Sequence, residues 1–403
     1  MAYIIVVNPA ILTAAGLPAG PSTVATIVVA VAGTLLMGLY ANRPIAVAPY
    51  MGENAFIAFG LAALGVTWQQ RLGAVFVSGV IFLIITLAGV RTWLADAISI
   101  SMKHSFAVGI GLFLAFIGLN EIGVVASSSV PGVPVKIGNL RSAEVLLGIA
   151  GFMVIMVLLQ RRVRGAIIIG IALTAVAGVL LGFGHAPRAI VALPFRGEYS
   201  LAPIALKLDI LGVLRMSFLP ILLTLFVMSF LDTLGTLVGV GAAGEIDDLR
   251  KPMLVDAVAC VLSGLVGTST SGAYIESATG IREGARTGLA AITTAALFAL
   301  SLFFIPLVEP LQQLRFAYAP ALIAVGVLML GSIRSIDFDD LTEVVPAFVT
   351  IVVMVFTYNI GNGLTAGLVL YPVIKVLAGR KVNAGAIVLA LICLSYYLFG
   401  LPH

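Results

Sequence analysis

The chain has 403 residues, of which 61% are hydrophobic and only 10% are charged, and its mean hydropathy is +1.17. A soluble globular protein carries about 25% charged residues, so this composition excludes a surface built to face water. The formal net charge of +4 comes from basic residues placed singly or in small groups between apolar blocks, a pattern that sets membrane topology and does not indicate nucleic-acid binding. The composition predicts a multi-pass membrane protein.

Apolar blocks separated by short polar joints mark the predicted membrane segments. A bilayer core about 30 Å thick needs roughly 20 apolar residues per helix, and this rule gives about fourteen segments. In chain order they are 2–16, 22–41, 45–64, 72–90, 104–123, 143–160, 165–184, 216–240, 252–267, 268–283, 286–308, 316–334, 345–360 and 362–379. The first is short and interrupted by Asn8-Pro9, and a further apolar run at 384–400 is either an additional span or an interfacial helix.

The joints between segments predict the orientation. Long joints at 124–142 and 185–215 contain Pro, Gly and mixed charges, and we expect them to be external loops. The stretches 91–103 and 336–344 are amphipathic and are predicted to form interfacial helices on the cytoplasmic side. Basic residues in joints that follow even-numbered segments place those joints, and the N-terminus, in the cytoplasm. They are Arg91, Lys103, Arg161, Arg162, Arg164, Arg250, Lys251, Arg282, Arg286, Arg334, Lys375, Arg380 and Lys381.

Two segments differ from the others because each begins with residues that form helix poorly. Residues 44–58 (PIAVAPYMGENAFIA) contain two prolines, and residues 267–281 (GTSTSGAYIESATGI) begin with Gly, Ser and Thr. Each has a Glu followed by a small or amide residue and Ala, and an Arg-x-Gly starts the next span, at Arg71 in one and Arg286 in the other. This correspondence predicts two weakly similar halves, as in secondary transporters built from repeats, with the second half inverted because each half has an odd number of segments.

The acidic residues of these segments are the first candidates for a binding site. Irregular backbone at membrane depth must line a cavity or be buried in protein, because lipid cannot hydrogen-bond it. Half-helices beginning near Glu53 and Glu276 would point N–H groups and a partial positive charge into such a cavity, which suits a planar ligand with N–H donors and carbonyl acceptors. Asp232, about mid-span in the eighth segment, is a third candidate, since a bare carboxylate there costs several kcal/mol.

Each candidate also has a purely structural interpretation. Glu53 and Asn54 could cap a helix start, and Asp232 could pair with a backbone group or a hydroxyl. The hydroxyl residues at 268–271 could serve close helix packing. Glu276 is harder to explain structurally because its surroundings are apolar. Cysteines lie only within apolar runs and the histidines are scattered, so we expect no metal, cofactor or disulfide.

At these motifs the sequence resembles the xanthine/uracil permease family of nucleobase–cation symporters, and above all its AzgA-like branch of adenine, guanine and hypoxanthine permeases. The resembling stretches keep their order and spacing over nearly the whole chain. They are NPAIL (8–12), GTLLMGLYANRPIAVAPYMGENAF (33–56), GIGLFLAFIGL (109–119), SFLDTLGTLVGV (229–240), GTSTSGAYIESATGI (267–281) and PALIAVGVLM (320–329).

The resemblance implies an all-α polytopic membrane protein of about 14 segments in two inverted seven-helix repeats, with short strands and half-helices in segments three and ten. A core domain would comprise residues 1–100 and 213–312, and a gate domain residues 101–212 and 313–403. Transport would proceed by an elevator-like movement of the core against the gate.

The resemblance also implies a proton-coupled symporter that imports a purine base such as hypoxanthine, guanine or adenine across the plasma or inner membrane, as a homodimer in contact with lipid and without a cofactor. Substrate contacts would fall on Asn54, Asp232 and Glu276, with Tyr274 and Ser277 beside them. Many relatives carry an acidic residue where this chain has Ser229 and an apolar residue where it has Glu53. We hypothesise that Glu53 supplies that carboxylate, so that Asp232, Glu276 and Glu53 are the candidates for proton coupling.

Three other functions compete with this one. A uracil or xanthine transporter would need the same fold and a similar site. A sulfate-type anion exchanger of the same fold is disfavoured because carboxylates at both half-helices would repel an anion. An intramembrane enzyme would need a nucleophile–base pair or metal ligands at membrane depth, and the sequence groups no His, Cys or second carboxylate in that way, so no catalytic residue is predicted.

Overall fold

The computed structural model describes residues 1–89, 97–128, 133–185, 187, 189–244 and 248–399, and nearly all of the secondary structure is helical. In the first half the helices are α1 (Ile4–Ala14), α2 (Ala19–Leu39), α3 (Met51–Ala55), α4 (Leu61–Ala63), α5 (Trp68–Leu87), α6 (Ile100–Ile122), α7 (Ala143–Gln160) and α8 (Ala166–Leu180). In the second half they are α9 (Ile210–Val213), α10 (Leu219–Gly244), α11 (Arg250–Val266), α12 (Ser277–Arg282), α13 (Gly288–Ser301), α14 (Ile305–Gln313), α15 (Arg315–Met329), α16 (Leu341–Phe356), α17 (Ile360–Leu377) and α18 (Ala384–Phe399).

Short strands, 3₁₀ turns and a π-helical turn interrupt the helices. The strands are β1 (Val47–Pro49), β2 (Val125–Ser127), β3 (Val135–Ile137) and β4 (Ser271–Ala273). A π-helical turn (Phe56–Gly60) joins α3 to α4, and 3₁₀ turns occur at Gly197–Tyr199, Met216–Phe218, Leu302–Phe304 and Leu330–Ser335. Strands β2 and β3 form an antiparallel hairpin within the predicted loop 124–142, which the sequence had not indicated.

Seven helical stretches of the described chain are long and apolar enough to cross a membrane, by length and composition. They are Ala19–Leu39, Trp68–Leu87, Ile100–Ile122, Ala143–Gln160, Gly288–Gln313, Arg315–Ser335 and Ile360–Leu377. Shorter apolar helices, among them Ile4–Ala14 and Leu341–Phe356, occupy other predicted segments. The polytopic helical fold is therefore confirmed, and the run at 384–400 is helical through Phe399.

Small residues allow the long helices to pack closely. Helix α6 lies against α15 and α16, whereas α5 lies against α10 and α11, and α2 lies against α13. A side chain on Gly326 would clash with the Gly111 carbonyl of α6, and one on Gly288 would clash with the Gly38 carbonyl of α2. Such backbone-to-backbone approach is typical of membrane helices, which pack without a hydrophobic driving force between them.

Helix α1 corrects the prediction that Asn8-Pro9 interrupts the first segment, since it runs unbroken from Ile4 to Ala14. Pro9 has no N–H to donate to the carbonyl of Ile5, one turn earlier. The side-chain amide of Gln312 donates to that carbonyl instead, at 3.1 Å. A hydrogen bond from α14 thus replaces the one that proline removes.

The prediction of an interfacial helix at 336–344 is wrong. Residues 330–335 form a 3₁₀ turn, and α16 begins at Leu341. Asp340 caps α16 by accepting from the Thr342 amide at 2.9 Å, and hydrogen bonds from the Thr342 hydroxyl and amide lower the pKa of Asp340. The carboxylate therefore stabilises a helix start instead of forming the polar face of a surface helix.

The other predicted interfacial helix, at 91–103, lies partly outside the described residues. Its described end is the first turn of α6, which begins at Ile100 and is capped by the Ser99 hydroxyl accepting from the Met102 amide at 3.2 Å.

Candidate substrate-binding site

The two segments that were predicted to form helix poorly meet as an antiparallel strand pair. Val47 is opposite Ala273, Ala48 is opposite Gly272 and Pro49 is opposite Ser271, and all six residues are buried. Helix α3 follows β1 after one residue, and α12 follows β4 after three. Because three strand residues span only about 10 Å, both helix starts lie close to the strand pair, as the sequence predicted.

Side chains from neighbouring helices satisfy the outer edges of this two-stranded sheet. Thr34 of α2 donates to the Val47 carbonyl at 2.9 Å and accepts from the Val47 amide at 3.0 Å. On the other edge, Asp256 of α11 accepts from the Ala273 amide at 3.1 Å. An open sheet edge is not tolerated in an apolar environment, so these contacts are what permits extended chain here.

Glu53 lies in the first turn of α3 and is fully buried. Its Oε2 accepts hydrogen bonds from the hydroxyl of Ser229, at 2.8 Å, and from the hydroxyl of Thr270. Among the described residues, its Oε1 has no hydrogen-bond partner. Ser229, the position at which the resemblance implies an acidic residue, therefore contacts the Glu53 carboxyl directly.

Asn54, also fully buried, follows Glu53 on α3. Its Nδ2 donates to Asn8 Oδ1 at 2.9 Å, and its Oδ1 has no hydrogen-bond partner in the described part of the chain. Asn8 itself comes from α1 and is also fully buried. The side-chain amide of Asn54 is therefore fixed by a hydrogen bond from its nitrogen, while its buried oxygen has no partner among the described residues.

Tyr274 and Glu276 lie at the other end of the strand pair, between β4 and α12, and Ser277 is the first residue of α12. Glu276 is half-buried, and its Oε1 accepts from the Tyr3 hydroxyl at 2.9 Å. The Tyr274 hydroxyl donates to the Pro49 carbonyl, and the Ser277 hydroxyl accepts from the Ala46 amide at 3.0 Å. Both of these side chains therefore tie β4 and α12 to β1, which is a structural role.

Asp232 lies on α10, facing the same region. It is half-buried and interacts electrostatically with Glu53, Tyr50 and Tyr274. Tyr274 is also within electrostatic range of Glu276. Asp232 and Glu276 are thus both within electrostatic range of the Tyr274 hydroxyl.

Five contributors were missed by the sequence-based interpretation or left undecided by it. Tyr3 and Asn8 lie in an apolar run that predicted only a membrane span, and their hydrogen-bond partners are distant in sequence. The hydroxyl residues Ser269 and Thr270 were left undecided between packing and function, and both donate to the groups described here, to Asn8 and Glu53 respectively. Asp256 could have been found, because an acidic residue within an apolar run is a functional candidate by default.

Two surface cavities lie away from these residues. One of about 680 Å³ is lined by residues of α6, α7 and α15, including Glu121 and Arg315, and one of about 240 Å³ is lined by Asn42, Arg43, Asp248 and Lys251 among others. Within the described residues there is no group of three His, Cys, Asp or Glu side chains that could hold a metal ion. The side chains of the candidate site offer carboxyl, amide and hydroxyl groups for hydrogen bonding.

Curated proteins that are similar to the chain are permeases. The guanine/hypoxanthine permease PbuO of Bacillus subtilis is 39% identical, and the alignment covers 97% of this chain and 93% of that protein. The adenine permease AdeQ of Escherichia coli is also 39% identical, with 94% of this chain and 85% of that protein covered.

Solved structures share the fold at low sequence identity. The transmembrane domain of the cyanobacterial bicarbonate transporter BicA matches with a TM-score of 0.69 at 16% identity, over 91% of this chain and 94% of that chain. The murine anion transporter Slc26a9 in the inward-facing state matches with a TM-score of 0.63 at 11% identity, over 94% of this chain and 68% of that chain. At these identities the likeness concerns the fold alone.

The model of the permease family named after xanthine and uracil permeases matches residues 1–365. That range contains both broken segments and every residue of the candidate site. The chain is a multi-pass membrane transporter and belongs to the xanthine/uracil permease family.

Proposed function

We propose that the chain is a proton-coupled importer of purine nucleobases. The observation that carries this proposal is the pair of fully buried side chains on α3, Glu53 and Asn54, each of which has one oxygen without a partner among the described residues. Leaving a buried acceptor unpaired costs about 1–3 kcal/mol, so two neighbouring ones suggest a ligand that brings N–H groups. A purine base is planar and offers N–H donors together with carbonyl or ring-nitrogen acceptors.

The electrostatics of the site favour a neutral base over an anion. Glu53, Asp232 and Glu276 place three carboxyl groups around the strand pair. An anion bound there would be repelled by any of them that is ionised, whereas a base can hydrogen-bond with a carboxyl in either protonation state. Anion transport, which the names of the bicarbonate transporter BicA and the anion transporter Slc26a9 state for those proteins, is therefore the weaker candidate for this chain.

Proton coupling is proposed for Glu53, Asp232 and Glu276. A carboxyl group in a low-dielectric environment can exchange a proton as its solvation and its partners change, and Glu53 and Asp232 interact with one another. We also propose a cytoplasmic N-terminus, location in the plasma or inner membrane, a homodimer, and a core (1–100, 213–312) that moves against a gate (101–212, 313–403).

Two matching contacts support the proposed inverted repeats. Arg71 Nε donates to the Val66 carbonyl at 2.8 Å, and Arg286 Nη1 donates to the Ile281 carbonyl at 2.5 Å, so each guanidinium reaches five residues back along the chain. Each Arg also follows a glycine with positive φ, Gly65 in one half and Gly284 in the other. Gly65 lies six residues before Arg71 and ahead of the Val66 acceptor, whereas Gly284 lies two residues before Arg286 and after the Ile281 acceptor. The two halves therefore share the five-residue arginine contact but not the whole turn.

The test is uptake into proteoliposomes of radiolabelled hypoxanthine, guanine, adenine, uracil, xanthine and sulfate, with and without a pH gradient that is acidic outside. We expect saturable uptake of at least one purine that the gradient stimulates. Glu276→Gln should reduce purine affinity by about tenfold, the effect of one hydrogen bond to a charged group, while Glu283→Gln, an exposed side chain paired with Arg164, should leave it unchanged. Uptake of sulfate alone, or of uracil alone, would contradict the proposal.

A further inference from the structure

Asn8, which neither the sequence patterns nor the proposed function assigns to the site, is the centre of a buried hydrogen-bond network. Its Nδ2 donates to the hydroxyl oxygens of Thr26, at 2.8 Å, and Thr268, at 3.0 Å. Its Oδ1 accepts from Asn54 Nδ2 at 2.9 Å and from the Ser269 hydroxyl at 3.0 Å. Both hydrogens and both lone pairs of the amide are used, and all five residues are fully buried.

Thr26 determines which groups in this network donate hydrogen bonds and which accept them. Its hydroxyl donates to the backbone carbonyl of Ser22 at 2.8 Å, so its single hydrogen is committed and its oxygen can only accept from Asn8. If the Asn8 amide were turned over, its carbonyl oxygen would face the acceptor oxygen of Thr26. The backbone of α2 therefore decides which side of Asn8 carries the N–H groups.

The orientation of the Asn8 amide in turn fixes the orientation of the Asn54 amide. Because Asn8 presents its oxygen to Asn54, the nitrogen of Asn54 must turn towards Asn8, and its other hydrogen faces the sulfur of Met51 at 3.8 Å. The carbonyl oxygen of Asn54 is then turned away from Asn8, and it is the atom that has no partner among the described residues. A freely turning asparagine could offer a donor or an acceptor, whereas this one offers an acceptor only.

We infer that Asn8 is a positioning residue that fixes Asn54 as a hydrogen-bond acceptor, so that the transported base must present a ring N–H to Asn54. This inference rests on the proposed purine transport and makes it more specific. It predicts which type of group on the base is recognised: a ring position that carries a hydrogen contributes to affinity, and the same position without one does not.

Deazapurines test the inference, because replacing a ring N–H by C–H removes a donor without adding bulk. Replacing a ring nitrogen that carries no hydrogen, such as N3 of hypoxanthine, removes an acceptor instead and serves as a comparison. Competition of 1-, 3-, 7- and 9-deazahypoxanthine with radiolabelled hypoxanthine gives, for each variant, four affinities relative to hypoxanthine, and these ratios do not depend on the amount of folded protein. In the wild type we expect one analogue that lacks an N–H to bind about tenfold more weakly, the effect of one hydrogen bond. In Asn8→Leu that ratio should approach one while the other three stay unchanged.

Variants of α2 separate orientation from general packing. Thr26→Val removes the oxygen that fixes Asn8 and should shift the same single ratio, even if Asn8→Leu fails to fold. Thr26→Ser keeps the hydroxyl and should retain the wild-type ratios. Thr23→Val makes the same chemical change one turn away, at a hydroxyl bonded to Ala19 and Gln312, and should also retain them.

The outcomes distinguish this inference from the proposed function. If the wild type takes up no hypoxanthine or other purine, the proposed function fails. If uptake occurs but Thr26→Val leaves all four ratios unchanged, or changes all four alike, the fixed orientation of Asn54 is refuted and purine transport stands.

Discussion

Glu53 combines complete burial with a carboxyl group of which one oxygen accepts two hydrogen bonds and the other has no partner in the described residues. An ionised carboxylate in these surroundings would be costly, since repulsion by the acidic Asp232 adds to desolvation. A protonated Glu53 keeps both accepted hydrogen bonds and gains a donor. This makes Glu53 the residue at which the proton-coupling proposal is tested most directly.

Glu53→Gln imitates the protonated carboxyl, because the amide oxygen can still accept from Ser229 and Thr270 while the nitrogen donates. If one proton accompanies each base, a gradient of one pH unit supports up to about tenfold accumulation of substrate. We expect Glu53→Gln to abolish this accumulation while exchange of external for internal hypoxanthine persists with affinity within about tenfold. Both rates are measured in the same proteoliposomes.

Glu283→Gln is the matched control for this experiment, since Glu283 is exposed and pairs only at the surface with Arg164. It should accumulate substrate like the wild type. Undiminished pH-driven accumulation by Glu53→Gln would exclude Glu53 as the coupling group and leave Asp232 and Glu276 as the remaining candidates.

At the residue scale, sequence identified acidic side chains better than their partners. Glu53, Asp232 and Glu276 stood out because a carboxyl in an apolar segment is unusual and needs a reason. The Asn8 network did not: Asn54 was predicted only as a substrate contact, and its link through Asn8 to residues 26 and 268 joins side chains that are distant along the chain. Only the fold shows that they share hydrogen bonds.

At the scale of elements, sequence predicted the interruptions of the third and tenth segments but wrongly expected one at Asn8-Pro9, and it predicted the turns poorly. Pro44, Pro49 and the run 267–271 disfavour helix, and the strand pair lies within these two stretches. That they contain strands was implied by the family resemblance and not by the residues themselves. The π-helical turn Phe56–Gly60 and the start of α16 depended on tertiary contacts and on a capping carboxylate, and neither was anticipated.

Arg71 and Arg286, which follow the two half-helices and donate to carbonyls five residues earlier, differ in burial. This difference predicts unequal contributions to stability. Arg71 is 7% exposed and donates to the carbonyls of Val66, Ala15 and Ala58, whereas Arg286 is exposed and donates to Ile281 and Ala285. Removing the buried guanidinium leaves carbonyl groups unpaired away from water. We expect Arg71→Met to destabilise the protein by roughly 2 kcal/mol and Arg286→Met by less than about 1 kcal/mol.

Thermal unfolding of the purified protein in one detergent measures both variants under the same conditions. Arg71→Lys offers a second comparison, because a lysine keeps the charge but lacks the planar fork that reaches several carbonyls at once, so its melting temperature should fall between the wild type and Arg71→Met. Equal losses of stability in Arg71→Met and Arg286→Met would show that burial of the guanidinium does not determine how much these arginines stabilise the protein.

At the scale of the whole molecule, an aromatic cluster joins the proposed core to the proposed gate. The ring of Tyr358, between α16 and α17, packs edge-on against Phe59 at 6.3 Å between centroids and against Phe113 of α6 at 5.4 Å. Phe59 belongs to the proposed core, and the other two belong to the proposed gate. If the core moves against the gate during transport, the Phe59–Tyr358 contact must break, whereas the Phe113–Tyr358 contact can persist.

Cross-linking distinguishes these two contacts. On a background in which the native Cys260 and Cys393 are replaced by Ala, Phe59→Cys/Tyr358→Cys bridged by a short bifunctional thiol reagent should lose nearly all hypoxanthine uptake. Phe113→Cys/Tyr358→Cys, treated with the same reagent, should retain most of its uptake, and so should the treated single-cysteine variants. Because both pairs share Tyr358 and lie in one cluster, local damage would affect them alike, and only relative movement of core and gate separates them. Full uptake by the bridged Phe59–Tyr358 pair would mean that this contact is kept throughout the transport cycle, and the boundary between the moving parts would then lie elsewhere in the chain.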